Sequence, residues 1–207
     1  MSRTKEYAIL GILLILTAAV RCLHLLTGQF PICNPDSFYF HWLSRQNSIP
    51  VLGSGLAYPL RYLGDTGAIV IPPLLGVATA LIIYFLARKM YGVKVALWSV
   101  ACFACAMLAY IHFSAGNIDR DGLSLLLITI ALVIWHYSQT WKGALGIAAI
   151  ATLLAIEWTW VGPAILGAII IVNWIAEWYV TGKPTRLQVI GVLAGLCLLV
   201  LPIVRNR

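Results

Sequence analysis

Long apolar runs dominate this sequence and constrain its fold more than any other feature. Each run is close to the roughly 20 apolar residues that a helix needs to cross the hydrocarbon core of a bilayer. Only 10% of the 207 residues are charged, whereas soluble domains carry about 25%. The chain is therefore predicted to be a membrane protein with about seven spans. The predicted spans are 7–27, 67–87, 93–113, 122–138, 143–160, 161–180 and 187–204.

Helices rather than strands are predicted for these runs. Backbone polar groups must be satisfied within the segment in lipid, and the runs are far longer than barrel strands. The predicted fold is an all-α, polytopic helical bundle, forming a single transmembrane domain over 1–207. The first run, 7–27, exceeds the roughly 7–15 residues of a signal-peptide core, so we expect it to remain as an uncleaved first span.

The distribution of Lys and Arg predicts a cytoplasmic N-terminus. In this orientation the inner segments hold more basic residues than the outer ones, and they hold every lysine. The net charge is +7, but the basic residues are scattered at the ends of apolar runs, so nucleic-acid binding is not predicted. We expect a multi-pass protein of the cell membrane whose acidic loops are extracytoplasmic. Most carboxylates then fall on the outer face: Asp36, Asp65, Asp119, Asp121 and Glu157.

The first outer loop, 28–66, is the longest polar segment and is rich in aromatic residues, which suit a membrane–water interface. Short interfacial helices are predicted at "PDSFYFHWLSRQ" and at "AYPLRYLG". Asp36 is either the N-cap of the first of these helices or a functional carboxylate. Tyr58 and Arg61 suit interfacial anchoring, with Arg61 extending its charge toward lipid phosphates.

Three charges, Asp119, Arg120 and Asp121, separate two apolar runs in "FSAGNIDRDGLSLL". The surrounding glycines and asparagine favour a non-helical turn, on which two such carboxylates point the same way. Close carboxylates repel unless a cation neutralises them, and oxygen-only ligands favour Mg²⁺ or Mn²⁺ over zinc. Asp36 could supply a third oxygen. Alternatively, Asp121 complements the helix dipole and Arg120 pairs with either neighbouring aspartate.

Four segments in order carry a resemblance to a known family. They are "NPDSFYFHW" around Asp36, "AYPLRYLG" at 57–64, "SAGNIDRDGLSL" around Asp119 and Asp121, and "EWTWVGP" at 157–163. Together they resemble the catalytic subunit of oligosaccharyltransferase, a GT-C-fold glycosyltransferase, with the archaeal branch most similar. The resemblance implies transfer of a glycan from a polyprenyl phosphate or diphosphate carrier to an asparagine of an acceptor polypeptide.

The resemblance also implies roles for particular side chains. It implies that a divalent cation, Mg²⁺ or Mn²⁺, is held by three catalytic carboxylates, Asp36, Asp119 and Asp121. It suggests contacts to the phosphates of the lipid-linked oligosaccharide for Arg120, Arg61 and Tyr58. Two residues depart from the family pattern, because Asn34 stands where some relatives have an acidic residue and His112 where Arg is common.

The family also has further spans, a later outer loop with a catalytic Glu, and a soluble domain with a Trp-Trp-Asp acceptor-reading motif. Residues 1–207 contain none of these features. We therefore expect this chain to correspond to the N-terminal membrane part of such an enzyme. It should be inactive alone, and a separately encoded C-terminal half is one partner consistent with this expectation.

Other functions stay open at this point, so the sequence leaves enzyme activity undecided. One alternative is a compact GT-C enzyme acting on a small lipid-linked sugar. Another is a non-enzymatic membrane scaffold or an accessory protein that binds polyprenyl lipid. A transporter fits less well, since its spans should carry polar residues along a path, and few occur here.

Overall fold

The computed structural model describes residues 2–27, 35–49, 55–137, 141–156 and 162–182, with short pieces between 189 and 197. Every regular element in these ranges is helical, so the all-α prediction is confirmed for them. A 3₁₀ helix covers Leu23–Thr27. The α-helices are α1 (Arg3–Cys22), α2 (Pro35–Ser44), α3 (Ala57–Tyr91), α4 (Val93–Cys105), α5 (Met107–Phe113), α6 (Arg120–Tyr137), α7 (Trp141–Ile156) and α8 (Gly162–Thr181).

Two helices of the described chain, α3 and α6, are long and apolar enough to cross a membrane. The bent pair of α4 and α5 is a third candidate if both helices belong to one span. The protein is thus a membrane protein by the length and composition of its helices. The count of seven spans stays a prediction, since the connection 157–161 and most of the last predicted span, 187–204, lie outside the described residues.

The third predicted span, 93–113, differs from a single straight helix. It breaks at Ala106, whose backbone is extended (φ −68°, ψ 124°), and the two halves are bent by 65°. The run contains neither Pro nor Gly, the usual local causes of a sharp kink. A side chain from another helix meets the break instead, because the Arg21 guanidinium donates a hydrogen bond to the Phe103 carbonyl over 3.3 Å.

The chain forms two compact units, Met1–Val133 and Ile134–Arg207. In the second unit α7 packs against α8. In the first unit, one core cluster joins α1, α3 and α4 through Leu10, Ala80, Tyr84, Ala87, Ala96 and Val100. A second cluster joins α2, α3 and the segment before α6 through Phe40, Leu43, Leu56, Ala57, Leu60, Ala68 and Ile118. The single transmembrane domain over 1–207 stays a prediction.

An ion-paired cluster joins the first helix to the third. Glu6, only 3% exposed, lies 2.9 Å from Arg88 Nε and also accepts a hydrogen bond from the Tyr84 hydroxyl. Farther along α1, Arg21 packs against Gly76 of α3. The start of α1 therefore meets the end of α3, and the two helices run antiparallel.

The opposite end of α3 meets the loop that precedes α6. The Gly116 N–H donates to the Ala68 carbonyl over 2.8 Å. Ala68 and Arg88 are separated by helix that spans about 30 Å, which is close to the thickness of a bilayer's hydrocarbon core. The first unit thus carries charged groups at two ends that are about one membrane thickness apart.

The first outer loop contains the predicted short helix as α2. Asp36 lies in the first turn of that helix. The segment "AYPLRYLG" forms the first turns of α3 and ends at a bend, where Gly64 has φ 56° and ψ −141°. Glycine adopts this backbone conformation without steric cost. The second predicted interfacial segment is therefore helical and continuous with a candidate span.

Candidate functional site

The loop 114–119 connects α5 to α6, and two backbone hydrogen bonds attach it to α1 and α3. The Ala115 N–H donates to the Arg21 carbonyl over 3.0 Å, and Gly116 is held by Ala68 as described above. Gly116 has a φ of 83°, a left-handed conformation that favours glycine. Residues of α1 and α3 therefore fix the position of this loop.

Side chains fix the same loop to α2. The Ser37 hydroxyl lies 3.1 Å from both the Asn117 Oδ1 and the Ile118 carbonyl. The Asn117 amide donates to the Ile111 carbonyl. Ser37 and Asn117 are both buried, and buried polar groups are costly unless they are hydrogen-bonded. These contacts bring α2, and with it Asp36, to the side of the loop.

Asp119 has two structural partners. It is 6% exposed, and its Oδ2 lies 2.6 Å from His112 Nδ1 at the end of α5. Its Oδ1 accepts a hydrogen bond of 2.9 Å from the Asp121 N–H in the first turn of α6. This is the arrangement of a helix N-cap. Capping, considered for Asp36 and Asp121 from sequence, is thus found at Asp119.

Three side chains around the start of α6 lie close together. His112, Asp119 and Asp121 each offer one ligand atom, and these atoms lie within 4.8 Å of one another. A buried carboxylate, an exposed carboxylate and an imidazole form a mixed nitrogen and oxygen donor set. Carboxylates suit Mg²⁺ and Mn²⁺, whereas imidazole suits softer transition metals. These donor types can serve a divalent cation, and an imidazole among them is unusual for Mg²⁺.

Asp36, the third predicted ligand, pairs with Arg120. Its carboxylate accepts two hydrogen bonds from Arg120, of 2.8 Å from Nε and 2.9 Å from Nη2. The exposed fractions of the two side chains are 26% for Asp36 and 22% for Arg120. Paired hydrogen bonds between Arg and a carboxylate are strong and geometrically specific. The third predicted ligand is thus paired with the arginine that lies between the other two.

The remaining predicted contacts to lipid phosphate lie at the start of α3. Arg61 is exposed, as an anchoring or phosphate-binding arginine requires. The Tyr58 hydroxyl donates to the Ile49 carbonyl over 3.3 Å, a contact within the first loop. Phosphate binding by either residue stays a prediction.

Sequence reasoning gave no ligand role to His112. It noted only that a histidine stands where the family pattern has a basic residue. The sequence feature that could have indicated a contact with Asp119 is the position of His112, seven residues earlier and at the end of an apolar run. A turn between the two residues can bring the His112 imidazole next to the Asp119 carboxylate, and the structure contains such a turn.

Gly122 sets how closely α6 approaches α5. A Cβ at this position would lie 2.9 Å from the His112 carbonyl oxygen and 3.1 Å from the Phe113 ring. We expect Gly122→Ala to destabilise the protein by about 1–3 kcal/mol, as overpacking does, measured as a lower unfolding temperature in detergent. Gly11→Ala is the control, since no described atom outside its own helix backbone lies within 4 Å of a Cβ at that position, and alanine should favour α1. Equal unfolding temperatures for the two variants would contradict the close approach.

Comparisons with known proteins do not extend these observations. No protein-family model matches the chain, and no curated protein matches it.

Proposed function

We propose that residues 1–207 form the N-terminal membrane part of an oligosaccharyltransferase-like glycosyltransferase with a seven-span, GT-C-like fold. The observation that carries this proposal is the meeting of two distant segments. The first loop and the loop 114–119, which hold the acidic parts of the family resemblance, are joined by the Ser37 hydroxyl across 80 residues of sequence. A cation site shared by these loops requires such an arrangement.

In the proposed site, Asp119 and Asp121 bind Mg²⁺ or Mn²⁺ at the outer face of the cell membrane. His112 fixes the Asp119 carboxylate, and the cap of α6 fixes the position of Asp121. The cation would supply a Lewis acid that orients the reactants and offsets developing negative charge. Asp36 completes the carboxylate set when it leaves Arg120, whose guanidinium then binds a phosphate of the carrier.

The proposed reaction joins the acceptor amide nitrogen to the anomeric carbon of the glycan. The bond from that carbon to the carrier phosphate breaks, the phosphate leaves with the bonding electrons, and the amide nitrogen gives its proton to a carboxylate of the site. The carboxylates near the cation orient the amide, which is a poor nucleophile. By the family resemblance, the catalytic Glu and the acceptor-reading domain belong to a C-terminal half that completes the enzyme.

A non-enzymatic scaffold is the second candidate, and a specific observation favours it. Asp119 caps α6, and Asp36 forms a two-bond pair with Arg120. Each of these charged groups thus has a structural role that needs no substrate. A scaffold that binds polyprenyl lipid would use the same helices and keep these contacts unchanged.

Binding of a lipid-linked oligosaccharide separates the two candidates. The chain is placed in nanodiscs and titrated with a short-chain polyprenyl diphosphate glycan, with Mn²⁺ or with a chelator. We expect binding to need the cation and to be lost in Asp119→Asn/Asp121→Asn, without transfer to a peptide that contains a glycosylation sequon. Binding that is indifferent to the chelator and to both substitutions would favour the scaffold. Transfer by the purified chain would contradict the assignment of a partial site.

A further inference from the structure

Arg21 is the most deeply buried charge of the first unit. Its side chain is 0% exposed, at the end of α1. Ionisable residues within a membrane segment are rare and usually mark function. Among the described residues, no carboxylate lies within ion-pair distance of this guanidinium. It donates instead to two backbone carbonyls, of Thr17 over 2.9 Å and of Phe103 over 3.3 Å, while no described residue offers its Nε a hydrogen-bond partner.

Aromatic rings and a glycine enclose the guanidinium. Its central carbon lies 4.9 Å from the centroid of the Phe103 ring and 5.8 Å from that of the Phe113 ring. On the third side α3 approaches at Gly76, where a Cβ would lie only 2.7 Å from Arg21 Nε. The guanidinium therefore contacts residues on both sides of the break at Ala106 and has little room to move.

The contacts of Arg21 explain how the break is tolerated. The Phe103 carbonyl belongs to the last turn of α4, where it also accepts a hydrogen bond from the Ala106 N–H over 3.4 Å. A cation at this end also interacts favourably with the helix dipole. Beyond the break, α5 carries His112 and Phe113, and the next loop is bonded to the Arg21 carbonyl through Ala115.

We infer that Arg21 is a positioning residue for the cluster of His112, Asp119 and Asp121. Its guanidinium contacts the end of α4 through Phe103 and the end of α5 through Phe113, and its carbonyl holds the following loop through Ala115. The direction of α5 then places His112 Nδ1 against Asp119. That this positioning serves a cation rests on the function proposed above, whereas the effect of Arg21 on His112 does not.

Nitrogen NMR of the histidines tests the inference without any metal or glycan. The chain has four histidines, and the signal of His112 is assigned by its loss in His112→Gln. In the parent protein we expect the Nδ1 shift of an imidazole bonded to a carboxylate. Arg21→Met should remove this shift. Gly76→Ala should do the same while keeping the charge and favouring the helix, so it remains informative if Arg21→Met fails to fold.

Tyr84→Phe is the matched control, since it loosens a buried contact at the opposite end of α3. It should lower the unfolding temperature and leave the His112 signal unchanged. The inference is overturned if Gly76→Ala, or a folded Arg21→Met, retains the parent signal. It is also overturned if Tyr84→Phe changes the signal as much.

A Mn²⁺ titration of the same samples reports on the site itself. We expect the affinity to fall about 10–100-fold in Gly76→Ala, as for other residues that orient metal ligands. A parent protein that binds no Mn²⁺ would contradict the proposed cation site, yet the histidine spectra would still decide the role of Arg21. Affinity unchanged in a Gly76→Ala protein whose His112 signal has moved would show that the contact of His112 with Asp119 does not matter for the proposed cation site.

Discussion

Replacing Asp119 by asparagine is expected to weaken Mn²⁺ binding by more than about 100-fold, since in the proposed site it removes a direct ligand rather than an orienting residue. The helix α6 should remain folded, because asparagine caps helices about as well as aspartate and can still accept the Asp121 N–H. The substitution thus removes the charge of Asp119 but keeps a side chain that can cap α6. Affinity is measured by electron paramagnetic resonance of free Mn²⁺, and folding by the unfolding temperature.

Two further variants make this result specific. Asp65→Asn removes an equal charge from an exposed carboxylate on α3 and should leave Mn²⁺ affinity unchanged. Asp119→Ala removes the cap as well, and should cost about a further 1 kcal/mol of stability. If Asp119→Asn bound Mn²⁺ as tightly as the parent protein, Asp119 would serve only as a cap and as the partner of His112. The scaffold would then be the better proposal.

Replacing Arg88 by methionine is expected to cause the largest loss of stability. Glu6 is buried, whereas the Arg88 side chain is 33% exposed; removing the arginine leaves the buried carboxylate without its charged partner, which is strongly destabilising. The double variant Glu6→Gln/Arg88→Met leaves no unpaired charge and should recover most of this loss. Both are compared with the parent protein by denaturant unfolding in detergent.

Arg61→Met is the control for this pair, since Arg61 is an exposed arginine on the same helix. Its effect on the free energy of unfolding should be within about 0.5 kcal/mol, as for most surface substitutions. A loss for Arg88→Met as small as that for Arg61→Met would show that the pair does not hold α1 against α3. If the double variant did not recover the lost free energy of unfolding, the loss would arise from the Tyr84 hydrogen bond or from packing rather than from the unpaired charge.

The helices were largely predictable, whereas the break in the third predicted span was not. The fourth predicted span, 122–138, corresponds closely to α6, because a continuous apolar run marks a helix with little help from tertiary contacts. The segment "ACFACAM" carries no residue that bends a helix by itself. Its bend coincides with a hydrogen bond from Arg21, which is 82 residues away in sequence.

The site was predictable in part for the same reason. The closeness of Asp119 and Asp121 is local, so spacing and turn residues could indicate it. They come together, however, by a capped helix start rather than by a wholly extended turn. The pairing of Asp36 with Arg120 depends on how α2 docks against the loop, and no local pattern specifies that docking. From the sequence, Arg120 was expected to pair with Asp119 or Asp121, its neighbours in the chain. In the structure it pairs with Asp36 instead.

The Glu6–Arg88 pair has a consequence for how the chain is made. At a synthesis rate of about 5–20 residues per second, several seconds separate the two residues, which lie 82 positions apart. During this interval the Glu6 carboxylate of the nascent first helix lacks its partner Arg88. We therefore expect the insertion machinery to retain α1 until α3 emerges and to release the two into the bilayer as a hairpin.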